Sequence, residues 1–313
     1  MTASRHLTVV LPHGFCSGVA RAVQTAEAVL ARFRGETVYC LNEIVHNKQV
    51  VSRLTSLGMV FVSAVDEVPV GSLLLFSAHG VAPSVRRQAE ARGLRVIDAT
   101  CPFVAKVHAE VRRFAAQGAT VVCIGHRSHE EVVGVAGEAP EHVRVVESVQ
   151  EAEALALPAH VPVAVVTQTT LGEAQVNSVL AALRQRFPVL QMPASTDVCY
   201  ATRNRQQAVR RLAQHCGRVL VLGSANSSNS QRLAETARAA GAEAVLVSEL
   251  EQLETVARSL FPTVGITSGA STPESFLSEV IRALREQYGY PEPEWLTAVD
   301  EESPVFTLPA LPE

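Results

Sequence analysis

The sequence predicts an α/β fold of three pseudo-equivalent units with mostly parallel sheets, and three observations support it. The 313 residues are 47% hydrophobic but only 5% aromatic, a composition that suits helices packed on short buried strands better than a sandwich of antiparallel sheets. The longest apolar stretches, such as Ser72 to Ala78, are strand-sized. One local pattern, a cysteine at the front of an amphipathic helix that follows extended chain, occurs three times. A chain of this length and apolar content can bury more than one core.

Composition also excludes several roles. The net charge of -4 is mild and no Lys or Arg stripe is present, so no nucleic-acid partner is expected. Apolar runs fall far short of the roughly 20 residues that span a bilayer, so no membrane partner is expected either. Residues up to Val10 run straight into a strand pattern without a signal or transit sequence, which predicts a cytoplasmic protein. In that compartment six cysteines are seldom a disulfide framework, and metal or catalytic work is the better expectation for some of them.

The elements follow in order. In the first unit, residues 12–100, Cys16 opens a helix in GFCSGVARAVQTAE, Thr37 to Leu41 form a strand, the next loop carries His46, and a second strand ends in LLLFSAHG with His79. In the second, residues 101–197, Cys101 opens ATCPFVAKVHAEV, the strand Thr120 to Ile124 leads to a loop with His129 and Glu131, and VAVVTQTTL brings Thr169. In the third, residues 198–287, Cys199 opens DVCYATRNRQQAV, the strand Arg218 to Leu222 leads to Ser227, Ser228 and Asn229, and VGITSGAS brings Ser271. The N-terminal strand 1–11 is assigned to the third unit, and segment 288–313 packs back on the body. Strand-loop-helix units carry functional loops beyond the carboxyl ends of parallel strands, so these residues should share the same edge of their respective sheets. No long Gly, Ser or Pro linker separates the units.

The repeat also sorts the cysteines. Cys40 and Cys123 fall inside strands, where the third unit has an aliphatic residue near Val221, and Cys216 ends a helix; all three read as buried hydrophobes. Cys16, Cys101 and Cys199 sit at helix N-termini, where positive partial charge favours the thiolate. Three converging thiolates could hold zinc with an open position, or a cubic iron-sulfur cluster with one iron lacking a protein ligand. The bland alternative, three unrelated buried cysteines, needs the same coincidence three times. His46, His79, His129, the Ser227-Ser228-Asn229 run and Ser271 supply hydrogen-bond donors of the kind that bind a diphosphate. Taken singly, each is as well explained as a surface residue or helix cap. Glu131 can deliver a proton to a departing hydroxide, and Thr169 can relay it or hold a substrate hydroxyl.

The motifs GFCSGV, VHN, FSAHGV, DATCP with V-x-K-V-H, the HxEV segment at His129, TQTTL, CYAT-x-NRQ, GS-x-NSSNS-x-RL and GAS-x-P, with a closing VFTLP, make this chain resemble the 4-hydroxy-3-methylbut-2-enyl diphosphate reductases of the non-mevalonate isoprenoid pathway. The resemblance runs from about Val10 to Ser271. It implies a trefoil of three α/β units around one central [4Fe-4S] cluster per chain, with Cys16, Cys101 and Cys199 as its ligands. It further implies diphosphate binding by His46, His79, His129, Ser227, Ser228, Asn229 and Ser271, and proton supply by Glu131 with Thr169 at the substrate hydroxyl. The electron donor it implies is a ferredoxin or flavodoxin. Departures from the family pattern are His13 for Arg, Glu130 for Pro and Ala225 for Lys; none removes a proposed ligand. The rivals are a non-catalytic iron-sulfur redox sensor or electron carrier, which leaves the histidines unexplained, and a zinc hydrolase of phosphorylated substrates.

Overall fold

The computed structural model describes residues 5–157, 161–257, 262–301 and 303–312; the rest of the expected segments 1–11, 101–197, 198–287 and 288–313 lies outside the described residues. The chain opens with β1 (His6–Leu11) and α1 (Ser17–Arg32). Sheet I then follows as β2 (Val38–Leu41), α2 (Lys48–Ser56), β3 (Met59–Val62), β4 (Leu73–Phe76), α3 (Pro83–Ala91) and β5 (Arg95–Asp98). After α4 (Pro102–Ala116), sheet II comprises β6 (Thr120–Ile124), α5 (Glu130–Ala136), β7 (Val143–Val146), α6 (Val149–Ala154), β8 (Val163–Thr167), α7 (Glu173–Arg186) and the short β9 (Leu190–Gln191). After α8 (Tyr200–His215), sheet III comprises β10 (Arg218–Leu222), α9 (Ser228–Ala239), β11 (Glu243–Val247), α10 (Gln252–Ala257), β12 (Thr263–Ser268), α11 (Glu274–Tyr288) and β13 (Glu294–Thr297).

The strand orders are β3-β2-β4-β5, β7-β6-β8-β9 and β11-β10-β12-β1-β13, and every pairing is parallel. The middle strands β4, β8 and β10 are buried along their whole length. A parallel strand covered by helices on both faces has no polar side, which is why these segments read as continuous apolar runs. In each sheet the chain turns outward from the first strand and then crosses back to the third, so the strand order reverses between β2 and β4, between β6 and β8, and between β10 and β12. Ligand-binding loops of open parallel sheets gather at such reversals. The loops are stitched there by corresponding backbone bonds: Ala78 N–H to Ile44 O, Gln168 N–H to Ile124 O and Gly269 N–H to Leu222 O.

Sheet and sequence repeat are out of step by one cysteine. Cys101 and Cys199 follow the fourth strands of sheets I and II, and β1, which precedes Cys16, lies beside β12 in sheet III. Each cysteine therefore hangs from the sheet that precedes its helix. The chain divides into two compact units. One contains Met1–Ala20, His46–Arg53 and Tyr200–Val305 and holds sheet III; the other contains Arg21–Val45, Leu54–Cys199 and Phe306–Glu313 and holds sheets I and II. Among the described residues no helix is long and apolar enough to cross a membrane.

Candidate active site

The helices α1, α4 and α8 begin immediately after Cys16, Cys101 and Cys199. Pro102 opens α4 behind Cys101, where a residue without an N–H loses nothing. The three cysteines are anchored alike: Cys16 N–H donates to Ala270 O at 3.1 Å, Cys101 N–H to Ala78 O at 3.0 Å and Cys199 N–H to Thr169 O at 3.1 Å. Each acceptor stands in the loop just past the third strand of its sheet, β12, β4 or β8. All three cysteines are partly accessible, whereas Cys40, Cys123 and Cys216 are buried. Burial pushes the thiols of those last three up, so they behave as apolar core residues.

In the unit of sheets I and II, Glu131 is 2% exposed. Its Oε1 accepts the Thr169 N–H at 2.7 Å and its Oε2 the Thr169 hydroxyl at 2.9 Å. Burial pushes its pKa up to about 7; the two Thr169 bonds pull the other way, and the Asp197 carboxylate adds a smaller upward push. Asp197 is itself raised by burial, though it accepts from Lys106 Nζ and Thr167 N–H, both at 3.0 Å. Thr169 thus joins the buried acid to the backbone of Cys199.

Beside it, His129 caps α5 by accepting the Glu131 N–H on Nδ1 at 3.2 Å, which places the proton of a neutral ring on Nε2. His79 meets the His129 ring edge-on, with centroids 5.8 Å apart. Its Nδ1 lies 2.8 Å from Glu130 Oε2 and 3.2 Å from Ser77 Oγ. This unit therefore gathers His79, His129, Glu130, Glu131 and Thr169, with the backbones of Cys101 and Cys199 tied to the loops beside them.

In the unit of sheet III, Ser227 caps α9, its hydroxyl oxygen accepting the Ser230 N–H at 3.3 Å. Ser228 is the half-buried first residue of that helix. Asn229 is 5% exposed, yet neither its amide nitrogen nor its oxygen has a hydrogen-bond partner. Gly223 and Gly269 leave the room that Ser230 occupies, so the α9 N-terminus closes on the ends of β10 and β12. Ser271 donates to His46 O at 3.0 Å, and His46 Nδ1 lies 3.4 Å from Asn226 Nδ2. The loop bearing His46 is tied down further by Lys48 N–H to Ser224 Oγ at 2.9 Å. This unit brings together His46, Ser227, Asn229 and Ser271, with Cys16 bonded beside Ser271.

Two residues inside the CYAT-x-NRQ motif have positions the sequence did not assign. Tyr200, directly after Cys199, accepts the Ser17 N–H at 3.1 Å and donates to Ser17 Oγ at 3.0 Å, gripping the residue that follows Cys16. Arg205 is buried; its Nη2 donates to Gly14 O at 2.9 Å and its Nη1 pairs with Glu301 Oε2 at 3.2 Å. Its signal was spacing, since it shares the buried face of α8 with Ala201, Ala208 and Val209, where an unpaired charge would be costly.

The donor set fits a thiolate-bound metal or cluster. The accessible cysteines are those at helix starts, each on a loop at a carboxyl sheet edge, and soft thiolate ligands suit iron-sulfur centres. Parallel sheets with polar loops at their carboxyl edges and, among the described residues, a buried Glu131 carboxyl poised near neutrality define the class as an α/β enzyme. The LytB protein family matches residues 7–285, and the chain belongs to that family. It is 48% identical over 299 residues to the 4-hydroxy-3-methylbut-2-enyl diphosphate reductase of Rhodococcus jostii, covering 95% of this chain and 88% of the relative. It is 48% identical over 306 residues to the protein of the same name from Mycobacterium ulcerans, covering 97% and 91%. Among solved structures, the E-1-hydroxy-2-methyl-but-2-enyl-4-diphosphate reductase from Plasmodium falciparum is similar with a TM-score of 0.94 at 33% identity, over 98% of this chain and 96% of that one.

Proposed function

We propose that this enzyme removes the hydroxyl group of (E)-4-hydroxy-3-methylbut-2-enyl diphosphate in the cytoplasm, consuming two electrons and two protons, releasing water and yielding isopentenyl and dimethylallyl diphosphates. Cys16, Cys101 and Cys199 would hold one [4Fe-4S] cluster, with electrons arriving from a ferredoxin or flavodoxin. Bound there, the cluster supplies electrons and a Lewis-acidic iron open to the substrate oxygen. The observation that carries this reading is the chain of bonds from Cys199 through Thr169 to Glu131, which sets a proton source beside one of the three cysteine positions. The Ser17–Tyr200 bond supports the convergence of Cys16 with Cys199, because it joins the residues that follow them.

The chain's own groups divide the work. Hydroxide is a poor leaving group, and a carboxyl with a pKa of about 7 is still substantially protonated at neutral pH and acidic enough to give its proton up. Once Glu131 is protonated, its O–H can donate to Thr169 Oγ1, which frees the threonine hydroxyl to donate onward. His46, His79, His129, Ser227, Ser228, Asn229 and Ser271 bind the diphosphate, and the unpartnered Asn229 amide is the group that most needs such a ligand.

Anaerobic purification followed by iron analysis and turnover with an artificial reductant tests the proposal. The parent should be brown and consume the hydroxylated diphosphate, and Cys199→Ser should lose iron and turnover together. Full iron content in that variant would remove Cys199 from the ligand set. A brown parent without turnover would leave a sensor or carrier in place of a reductase.

A further inference from the structure

His108 lies on the buried face of α4. Its Nδ1 is 2.6 Å from Glu138 Oε1, the same oxygen that Arg112 Nη1 reaches at 2.9 Å, and the His108 and Glu138 side chains are 6% and 5% exposed. Burial alone pushes Glu138 up, yet its bonds with His108 and Arg112 hold it below the usual carboxylate range. None of these contacts involves a residue assigned above to binding or chemistry.

The surroundings of the ring show what the arrangement does. Gly80 directly follows His79 at φ +75°, and a Cβ on it would come within 2.9 Å of His108 Nε2. On α5, a Cβ on Gly134 would lie 3.3 Å from His108 Cε1 and 3.4 Å from the Val81 backbone, and one on Gly137 would collide with Ala82. Two glycines a turn apart thus let α5 close on the 80–82 segment until both rest against the same imidazole. That helix carries His129 at its cap and Glu130 and Glu131 in its first turn, and the segment it closes on carries His79. The His79 loop and α5 thus share the His108 imidazole as a common neighbour, and Glu138 bonds that ring.

We infer that His108, locked by Glu138, is a positioning residue: it spaces the His79 loop against the start of α5 and so holds the diphosphate-binding histidines in register with the buried acid. This rests on the roles proposed above for His79, His129 and Glu131. A leucine at 108 leaves the loop and helix without a common stop, while asparagine keeps an N–H close to where Nδ1 stood and so keeps the bond to Glu138.

The experiment uses the anaerobically purified holoenzyme with His108→Leu, His108→Asn, Glu138→Gln and the Leu/Gln double variant. It reads iron content, melting temperature, kcat, KM and the affinity for inorganic pyrophosphate by calorimetry. With iron content and melting temperature near the parent's, His108→Leu should lower kcat/KM on the order of tenfold to a hundredfold, the scale of a misplaced reacting group, and weaken pyrophosphate binding. His108→Asn should recover part of both losses, Glu138→Gln should lose part, and the double variant should be no worse than His108→Leu, because the pair acts as a unit. Unchanged kcat/KM and pyrophosphate affinity in His108→Leu would overturn the inference, as would strictly additive losses, or losses that track missing iron equally in Leu and Asn. Should the leucine variant not fold, Glu138→Gln decides by the same readings. Failure of the functional reading shows separately, as a parent with no turnover.

Discussion

The second residue after the cap is buried in both α5 and α9, but the two helix starts treat it in opposite ways. Glu131, two past His129, has both carboxylate oxygens occupied by Thr169; Asn229, two past Ser227, has neither amide atom occupied. Fold and register are the same and the chemistry differs. Sheet II has its polar group already committed, with burial holding its pKa high, the state the proposed proton donor needs. Sheet III keeps a buried amide without a partner, at an energetic cost that the proposed diphosphate would relieve. Under the proposed function, one architecture would serve as an acid site in sheet II and a binding site in sheet III, depending on whether the loop after the third strand supplies a partner.

Glu131→Gln attacks the acid half and should have the largest effect. The amide keeps the shape and one of the Thr169 bonds but has no proton to give, so turnover should fall by about two to four orders of magnitude, with iron content and pyrophosphate affinity retained. Near-normal turnover would remove Glu131 as the acid and erase the contrast with Asn229.

The same variant should change the pH dependence of stability. Glu131 has an ordinary value of 4.5 and a folded-state pKa of about 7, so the folded protein keeps a proton that the unfolded chain has lost. Stability is unaffected below about 4.5, falls as pH rises from there to about 7, and loses nothing further above it. The size is on the order of 3 kcal/mol. Denaturant titrations from pH 4 to pH 8 should show this decline in the parent relative to Glu131→Gln. Parallel curves would mean the carboxyl is not buried as an acid.

Asn229→Leu probes the binding half and should split stability from function. Removing an unpartnered buried amide leaves the melting temperature level or higher, while pyrophosphate affinity falls roughly tenfold to a hundredfold, about 1.5–3 kcal/mol for a lost hydrogen bond to a charged ligand. Calorimetry and thermal unfolding check both signs. A large loss of stability with unchanged affinity would make Asn229 a structural residue.

Much of this architecture is legible in the sequence because its signals are local. Buried parallel strands are unbroken apolar runs such as Leu73–Phe76 and Val163–Thr167, and a cysteine followed by an amphipathic pattern marks each helix start. Three things are not local. Strand 1–11 is assigned to the third unit from sequence, but its pairing with β12, some 250 residues away along the chain, and the offset that leaves each cysteine on the sheet before its helix are reported by no periodicity. HRSHEEVVG singles out Glu131 as a candidate acid by its place two past His129, but its burial and its bonds to Thr169, a residue on another strand's loop, have no local signal. His108 and Glu138 look like a helix polar residue and a loop acid until α4 and α5 are packed together. Side-chain burial across elements decides function here, and it is settled by contacts the chain makes only after folding.

The mildest change tests whether the comparison belongs to the helix starts or to the strands beneath them. Cys123 lies in β6, the strand that leads into His129 and Glu131, and its counterpart in β10 is Val221. Cys123→Val therefore installs in sheet II the residue that sheet III already carries, at a fully covered position where a β-branched side chain suits the strand. The volume change is small and no polar partner is lost, so stability should shift by no more than about 1 kcal/mol, with iron content, turnover and pyrophosphate affinity unchanged. An iron loss in this variant would instead place a buried strand cysteine among the ligands, and the division between accessible cysteines at helix starts and inert ones in strands would no longer hold.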